Sequence, residues 1–373
     1  MYALLFADSG LSAAQISSLL IIWSLTAFLL EIPSGVLADL VPRRHLLTAA
    51  PLFSAAGFAL WTLLPAYPAF AAGFVLWGVG GAITSGTLQA LVYDELDRAG
   101  AASAYARLIG RSRALGTIAV VTGTAAAAPL LAFGGYTAVG AVSVAAALAA
   151  APIGFSFPEG ARPGSGAHPG NGGEDRSPGL GPPLRVMRTA LSEVRHAPGA
   201  RPALFAVAVV MGLSSLDEYL PFLARSFTSD TALVPILLVP VFAAMAAGEW
   251  CAERGARRPA PVVAAGALLL AAGAFLGHPL GMLPVSAAFG VFAWAAVVAE
   301  TRLQDSVSER ARATVVSMSG FGAEAAAVAT FAAYGLGSAV AGPGMLFAAA
   351  ALGFLAVVPA LRRRARGPRS ERY

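Results

Sequence analysis

Glu31-Ile-Pro-Ser-Gly-Val-Leu-Ala-Asp-Leu-Val-Pro-Arg-Arg44 begins inside an apolar run and ends in two adjacent arginines. An acidic residue, a glycine small enough for helix packing and a positive cluster therefore meet where a hydrophobic segment reaches water. The whole chain has the same bias. Of 373 residues, 57% are hydrophobic and 12% charged, and the mean hydropathy is +0.71. A soluble domain carries about 25% charged residues, so the composition predicts a polytopic membrane protein. The single cysteine, Cys251, excludes an intramolecular disulfide, and the four histidines are scattered, so neither a metal cluster nor a cofactor is expected. The first residues lack the basic region and cleavage site of a signal peptide.

A helix needs roughly 20 apolar residues to cross the hydrocarbon core. That rule predicts eleven spans, near Leu11–Leu37, His45–Leu64, Pro68–Val92, Arg107–Phe133, Tyr136–Phe157, Ala203–Phe227, Thr231–Cys251, Pro259–Gly277, Leu280–Arg302, Arg312–Gly337 and Gly342–Leu361. Short breaks such as Pro65-Ala-Tyr-Pro68 and Phe133-Gly-Gly-Tyr136 mark the turns. Alternating these spans places every arginine except Arg225 on one side. The positive-inside rule makes that side cytoplasmic, with the C-terminus on it, and predicts a multi-pass protein of the cytoplasmic (inner) membrane. The sequence pI of 9.8 has a topological explanation, and no nucleic-acid partner is expected.

Gly35, Leu37, Ala38, Asp39, Arg43 and Arg44 resemble the signature G-x-L-A-D-x-x-G-R-K/R of the major facilitator superfamily, with Pro42 where the family usually has glycine. Tyr93-Asp94 leading into Gly110-Arg-Ser-Arg-Ala-Leu-Gly116, and Arg312-Ala-Thr-Val-Val-Ser317, are similar to further elements of its permeases. The resemblance implies an all-α polytopic fold of two pseudo-symmetric six-helix bundles. The expected partners are the lipid bilayer, a small-molecule substrate and, in a proton-coupled form, protons, and the expected state is a monomer. The family has twelve helices, and Met1–Ala7 would be the outward end of the first, so eleven complete spans plus a stub are expected. A start site read too late, a true eleven-span protein and a degraded gene all fit that stub.

The expected organisation is an N-terminal bundle over 1–157, a cytoplasmic linker over 158–202, a C-terminal bundle over 203–361 and a basic tail over 362–373. Glycine, proline and charge dominate the linker, so its first part should be disordered, with Leu184–His196 as a short amphipathic helix. The halves look related: Ala38-Asp-Leu-Val-Pro-Arg-Arg44 lines up with Ala252-Glu-Arg-Gly-Ala-Arg-Arg258, and Asp94 before Arg107, Arg111 and Arg113 echoes Asp305 before Arg310 and Arg312. Parallel halves with a site between them are a transporter arrangement.

The resemblance implies a gating role for Gly35, Asp39, Arg43 and Arg44, with Asp39 meeting the start of helix eleven. There Ser306-Val-Ser-Glu309 has a capping-box pattern, and a helix N-terminus carries about half a positive charge. Arg43 and Arg44 would be supported by Asp94 or Asp97, or would serve only as positive-inside anchors. Carboxylates within spans are costly and are functional candidates by default. Glu31, Asp217, Glu218 and Glu324 are the candidate proton or substrate sites. Asp217 and Glu218 are adjacent, so on a helix they should not face the same way. Glu249 and Glu300 lie near the cytoplasmic face and read as structural. Trp23, Tyr219, Trp250, Trp294 and Phe321 are candidate cavity aromatics, although most aromatics in spans pack or sit at interfaces.

Gly78-Val-Gly-Gly81 lies mid-span with no Lys-Ser/Thr after it, so it reads as close helix packing and not as a phosphate loop. Proton-coupled drug antiporters of the superfamily carry an arginine in helix four, where this chain has Phe74. They also carry a Gly-Pro-x-x-Gly-Gly run that Gly110, Gly116, Gly123 and Pro129 do not reproduce. No nucleophile–base pair is present, and an enzyme is not expected. The reading is a secondary transporter of a small organic solute working by alternating access, with proton-coupled export as one form. The alternatives are a solute importer of the same fold and a non-transporting membrane protein (sensor, assembly partner or degraded permease).

Overall fold

Every regular element of the computed structural model is helical, and the structure describes residues 1–101, 104–157, 200–252, 258–307 and 309–362. In chain order the helices are α1 (Tyr2–Asp8), α2 (Ala13–Leu40), α3 (Arg43–Leu63), α4 (Tyr67–Arg98), α5 (Tyr105–Ser156), α6 (Ala200–Ser214), α7 (Leu220–Ser226), α8 (Leu233–Ala252), α9 (Pro259–Phe275), α10 (Met282–Asp305), α11 (Glu309–Gly337) and α12 (Pro343–Arg362). Among the described residues, nine helical stretches are long and apolar enough to cross a membrane. One of them, Arg107–Ser156, is 50 residues long and bent at Gly135, where φ is 60° and ψ −158°. Counting it as two crossings, and adding the shorter apolar helix Pro259–Phe275, reproduces the eleven expected spans. The linker, the Leu184–His196 segment and the basic tail lie outside the described residues.

The turns follow from local chemistry. After α1, Gly10 takes φ +92°, its N–H donates to the Ala7 carbonyl (2.9 Å) and the Leu11 N–H donates to the Phe6 carbonyl (3.1 Å). This is a Schellman ending, which only a left-handed residue can close cheaply. Ser12 then caps α2: the Gln15 N–H donates to Ser12 Oγ (3.2 Å) and the Ser12 N–H to Gln15 Oε1 (2.9 Å). Val41 and Pro42 make the short corner between α2 and α3, and proline is tolerated there because it precedes a helix whose first N–H groups need no partner within it.

Small residues let the helices touch. A Cβ on Gly57 would lie 2.7 Å from the Gly73 carbonyl, which joins α3 to α4. One on Gly248 would lie 2.0 Å from the Gly290 carbonyl, which joins α8 to α10. In the first half α2 packs on α4, and α3 packs on α4 and on the limb of α5 that follows Gly135. In the second half α8 packs on α10, and α9 on α10 and α12, the same pattern in the same order. The halves meet chiefly along α2 with α11 and α5 with α8, and α1 adds a smaller contact with α7.

The apolar cores differ between the two faces of this assembly. Toward the arginine-poor face, one core runs through both halves, joining Phe6, Leu20 and Phe74 to Leu223, Val234 and Phe331. Toward the arginine-rich face the halves have separate cores, one around Ala38, Leu46 and Ala50 and another around Val207, Ala295 and Val357.

Candidate functional site

Three α2 positions, Ser17, Ser24 and Glu31, are seven residues apart and so share one helix face, since two turns take about 7.2 residues. That face looks at the other half. The Ser17 and Tyr219 hydroxyls are 2.6 Å apart, and the Ser24 hydroxyl donates to a Glu324 carboxylate oxygen on α11. Further along the same pair, Phe28 and Phe321 have ring centroids 5.6 Å apart. Glu31 is exposed, and its backbone carbonyl accepts from the Ser34 hydroxyl (2.9 Å).

Between α6 and α7 the chain tightens into a 3-10 turn, Ser215–Tyr219. Pro221 accounts for this: it lacks the N–H that would bond the Asp217 carbonyl, and its ring crowds that carbonyl. The Leu220 N–H takes the Asp217 carbonyl instead. Asp217 and Glu218 both line a cavity of about 360 Å³, opposite Gly123, Thr124 and Ala127 of α5 and beside Leu238 and Phe242 of α8. This corrects the expectation that neighbouring carboxylates would face apart, because the segment is not α-helical and the cavity spans the turn. The Tyr2 hydroxyl donates to Glu218, and Tyr219 stacks on Tyr334 with centroids 3.6 Å apart.

The signature stretch lies on the arginine-rich side. Arg43 pairs with Asp94 at 2.5 Å, tying α3 to α4, and Arg44 lies over the Phe155 ring at 5.5 Å. Asp39 is in the last turn of α2; its side chain, like those of Glu309, Arg113, Arg310 and Arg312, lies outside the described residues, as does Ser308 of the expected capping box. Gly35 departs from expectation. A Cβ there would meet nothing within 4 Å, so it is not a packing glycine in this arrangement. The contrast is Gly335 at the other end of the α2–α11 pair, where a Cβ would lie 2.9 Å from Ser17. The pair is tight at the arginine-poor end and open at Gly35.

The aromatic candidates divide. Tyr219 is fully buried between the halves and Trp23 stacks on Trp77 at 4.9 Å. Trp294 packs against the second half's own core, while Trp250 and Phe321 are exposed. Sequence reasoning missed Tyr2 and Ser24 as partners of Glu218 and Glu324, and Ser17 as the partner of Tyr219. For Ser17 and Ser24 the signal was the seven-residue spacing along α2, which is common in any buried helix; Tyr2, on α1, had none.

A helical membrane protein of two repeated halves, meeting on carboxylate-bearing surfaces, is the architecture of a transporter. Residues 1–328 match the Major Facilitator Superfamily, and the chain belongs to that family. No match was found among curated protein sequences. Among solved structures, the chain is similar to a bacterial homolog of the human lysosomal transporter Spinster in an inward-facing, unoccupied conformation (TM-score 0.64, 18% identity, 97% of this chain and 89% of that one). It is similar also to the nucleoside transporter NupG (TM-score 0.68, 13% identity, 96% and 91%). A third is the xylose transporter XylE from E. coli in an inward open conformation (TM-score 0.60, 15% identity, 98% and 90%). At these identities the likeness is one of fold.

Proposed function

We propose that the protein is a secondary active transporter of the cytoplasmic membrane that moves a small organic solute by alternating access, with its C-terminus and arginine-rich face in the cytoplasm. The observation that carries this reading is the asymmetry of the cores: one apolar core shared across the halves on the arginine-poor side, two separate cores on the other. Two rigid halves joined at one end and parted at the other form the bistable element that transport by rocking needs. The arrangement corresponds to a state closed to the outside. In the opposite state, Gly35 would let α2 close on α11, and Asp39 would hold the junction against the helix N-terminus.

Asp217, Glu218 and Glu324 are the groups proposed to bind protons or the cationic part of a solute. They lie between the halves, where a change of access changes their surroundings. Tyr2 and Ser24 compete with any such ligand for Glu218 and Glu324, so binding favours parting of the halves. Coupled export needs proton and solute to occupy these groups in turn, whereas coupled import needs them bound together.

The test is solute counterflow in liposomes containing the full chain, using solutes first selected because they raise its thermal midpoint. Counterflow that survives in the parent and falls at least tenfold in Asp217→Asn, Glu218→Gln or Asp39→Asn supports the assignment. A protein that binds the solute yet exchanges none, under any imposed pH gradient, sinks it. Counterflow unchanged in Asp39→Asn removes the gating role alone.

A further inference from the structure

Among the described residues, Arg225 is the one arginine on the arginine-poor side, and its surroundings give it a purpose. It lies in the last turn of α7, in the second half, and its guanidinium is 3.1 Å from Asp8 Oδ2 at the end of α1 in the first half. The same Asp8 oxygen accepts a hydrogen bond from the Tyr136 hydroxyl at 2.5 Å. A carboxylate at a helix C-terminus faces the negative end of the helix dipole, so Asp8 is poorly placed for α1 and well placed for Arg225. Both partners are set by glycine turns: Gly10 closes α1 immediately after Asp8, and the left-handed Gly135 delivers Tyr136.

We propose that Asp8, Tyr136 and Arg225 form an outer latch, a charge-based gate that holds the two halves together at the arginine-poor mouth. Below it lie the Tyr2–Glu218 and Ser17–Tyr219 contacts, so releasing the latch leads directly toward the carboxylates. The side chains of Arg225 and Asp8 are 37% and 36% exposed, and Asp8 and Tyr136 line an outer recess of about 340 Å³ with Asp230. Water and salt reach the pair, which therefore holds weakly enough to open and is screened by ionic strength. The proposal rests on the two-state reading above, but its test does not require transport.

The experiment uses the full chain with Cys251→Ser and a reporter, Thr124→Cys, in the cavity wall. A membrane-impermeant thiol reagent is applied from the arginine-poor side, and the rate of labelling is followed. At low salt, Arg225→Gln and Asp8→Asn should each label about two- to fivefold faster than the parent, the range an exposed ion pair supports. The exchanged pair Asp8→Arg/Arg225→Asp should return toward the parent rate, and Arg225→Lys should stay near it. Raising salt should speed labelling of the parent and leave Arg225→Gln unchanged. Equal rates in the parent and Arg225→Gln would overturn the latch, as would faster labelling that the exchanged pair does not reverse. Labelling as expected in a protein that moves no solute would sustain the latch and sink the transport reading instead.

Discussion

Ser17 and Tyr219 share a hydrogen bond that water does not reach, being 2% and 0% exposed. A buried hydroxyl left without its partner costs about 1–3 kcal/mol, more than the bond itself contributes. Tyr219→Phe should therefore lower the thermal midpoint in detergent, with the stack on Tyr334 preserved. Adding Ser17→Ala should recover part of the loss, because neither hydroxyl is then orphaned. A double variant whose loss equals the sum of the singles would show that the two groups act independently. The Ser24–Glu324 contact has the same form with a carboxylate as acceptor. Together they explain why Ser17 and Ser24 of α2 face the neighbouring half and not the lipid.

At the scale of elements, the bend in α5 depends on one residue. Gly135 adopts φ 60° and ψ −158°, a region essentially closed to residues with a Cβ. A Cβ there would meet nothing within 4 Å, so the penalty of Gly135→Ala is conformational and not steric crowding by neighbours. The cost should be about 1–3 kcal/mol, read as a lower unfolding midpoint, with faster outer labelling because Tyr136 is displaced. An unchanged midpoint would mean that the bend can be made another way. The 3-10 turn at Ser215–Tyr219 is a second departure from α-helix, made by proline where α5 uses glycine. A continuous α-helix through Pro221 would have turned Asp217 and Glu218 to different neighbours.

For the molecule as a whole, the consequential fact is that the halves share a core at one face and not at the other. In the proposed rocking cycle, closing the arginine-rich end requires the shared end to open. Tying the outer ends together should then arrest the cycle. With Cys251 replaced by serine, cysteines at Asp8 and Arg225 joined by a short bifunctional thiol reagent should abolish counterflow, and cleaving the linker should restore it. Persistent counterflow in fully cross-linked protein would show that the outer ends do not separate during transport.

Much of this was readable before any coordinates. Hydrophobic length marked the apolar helices that the structure describes, and the one-sided arginines set their expected alternation, because the bilayer imposes both as one-dimensional constraints. The Gly35–Arg44 signature indicated the family, and Asp94 was among the partners expected for Arg43. Other features depended on tertiary structure. The departure from α-helix at Asp217 and Glu218 needed the local response to Pro221, and the open surroundings of Gly35 needed the state of the interface. Pairing Arg225 with Asp8 needed three distant segments in one place. Sequence patterns determine which residues enter the membrane and which face of a helix they occupy. Which faces meet, and at which end the halves are closed, is decided by packing between segments far apart in the chain, a property no local pattern contains.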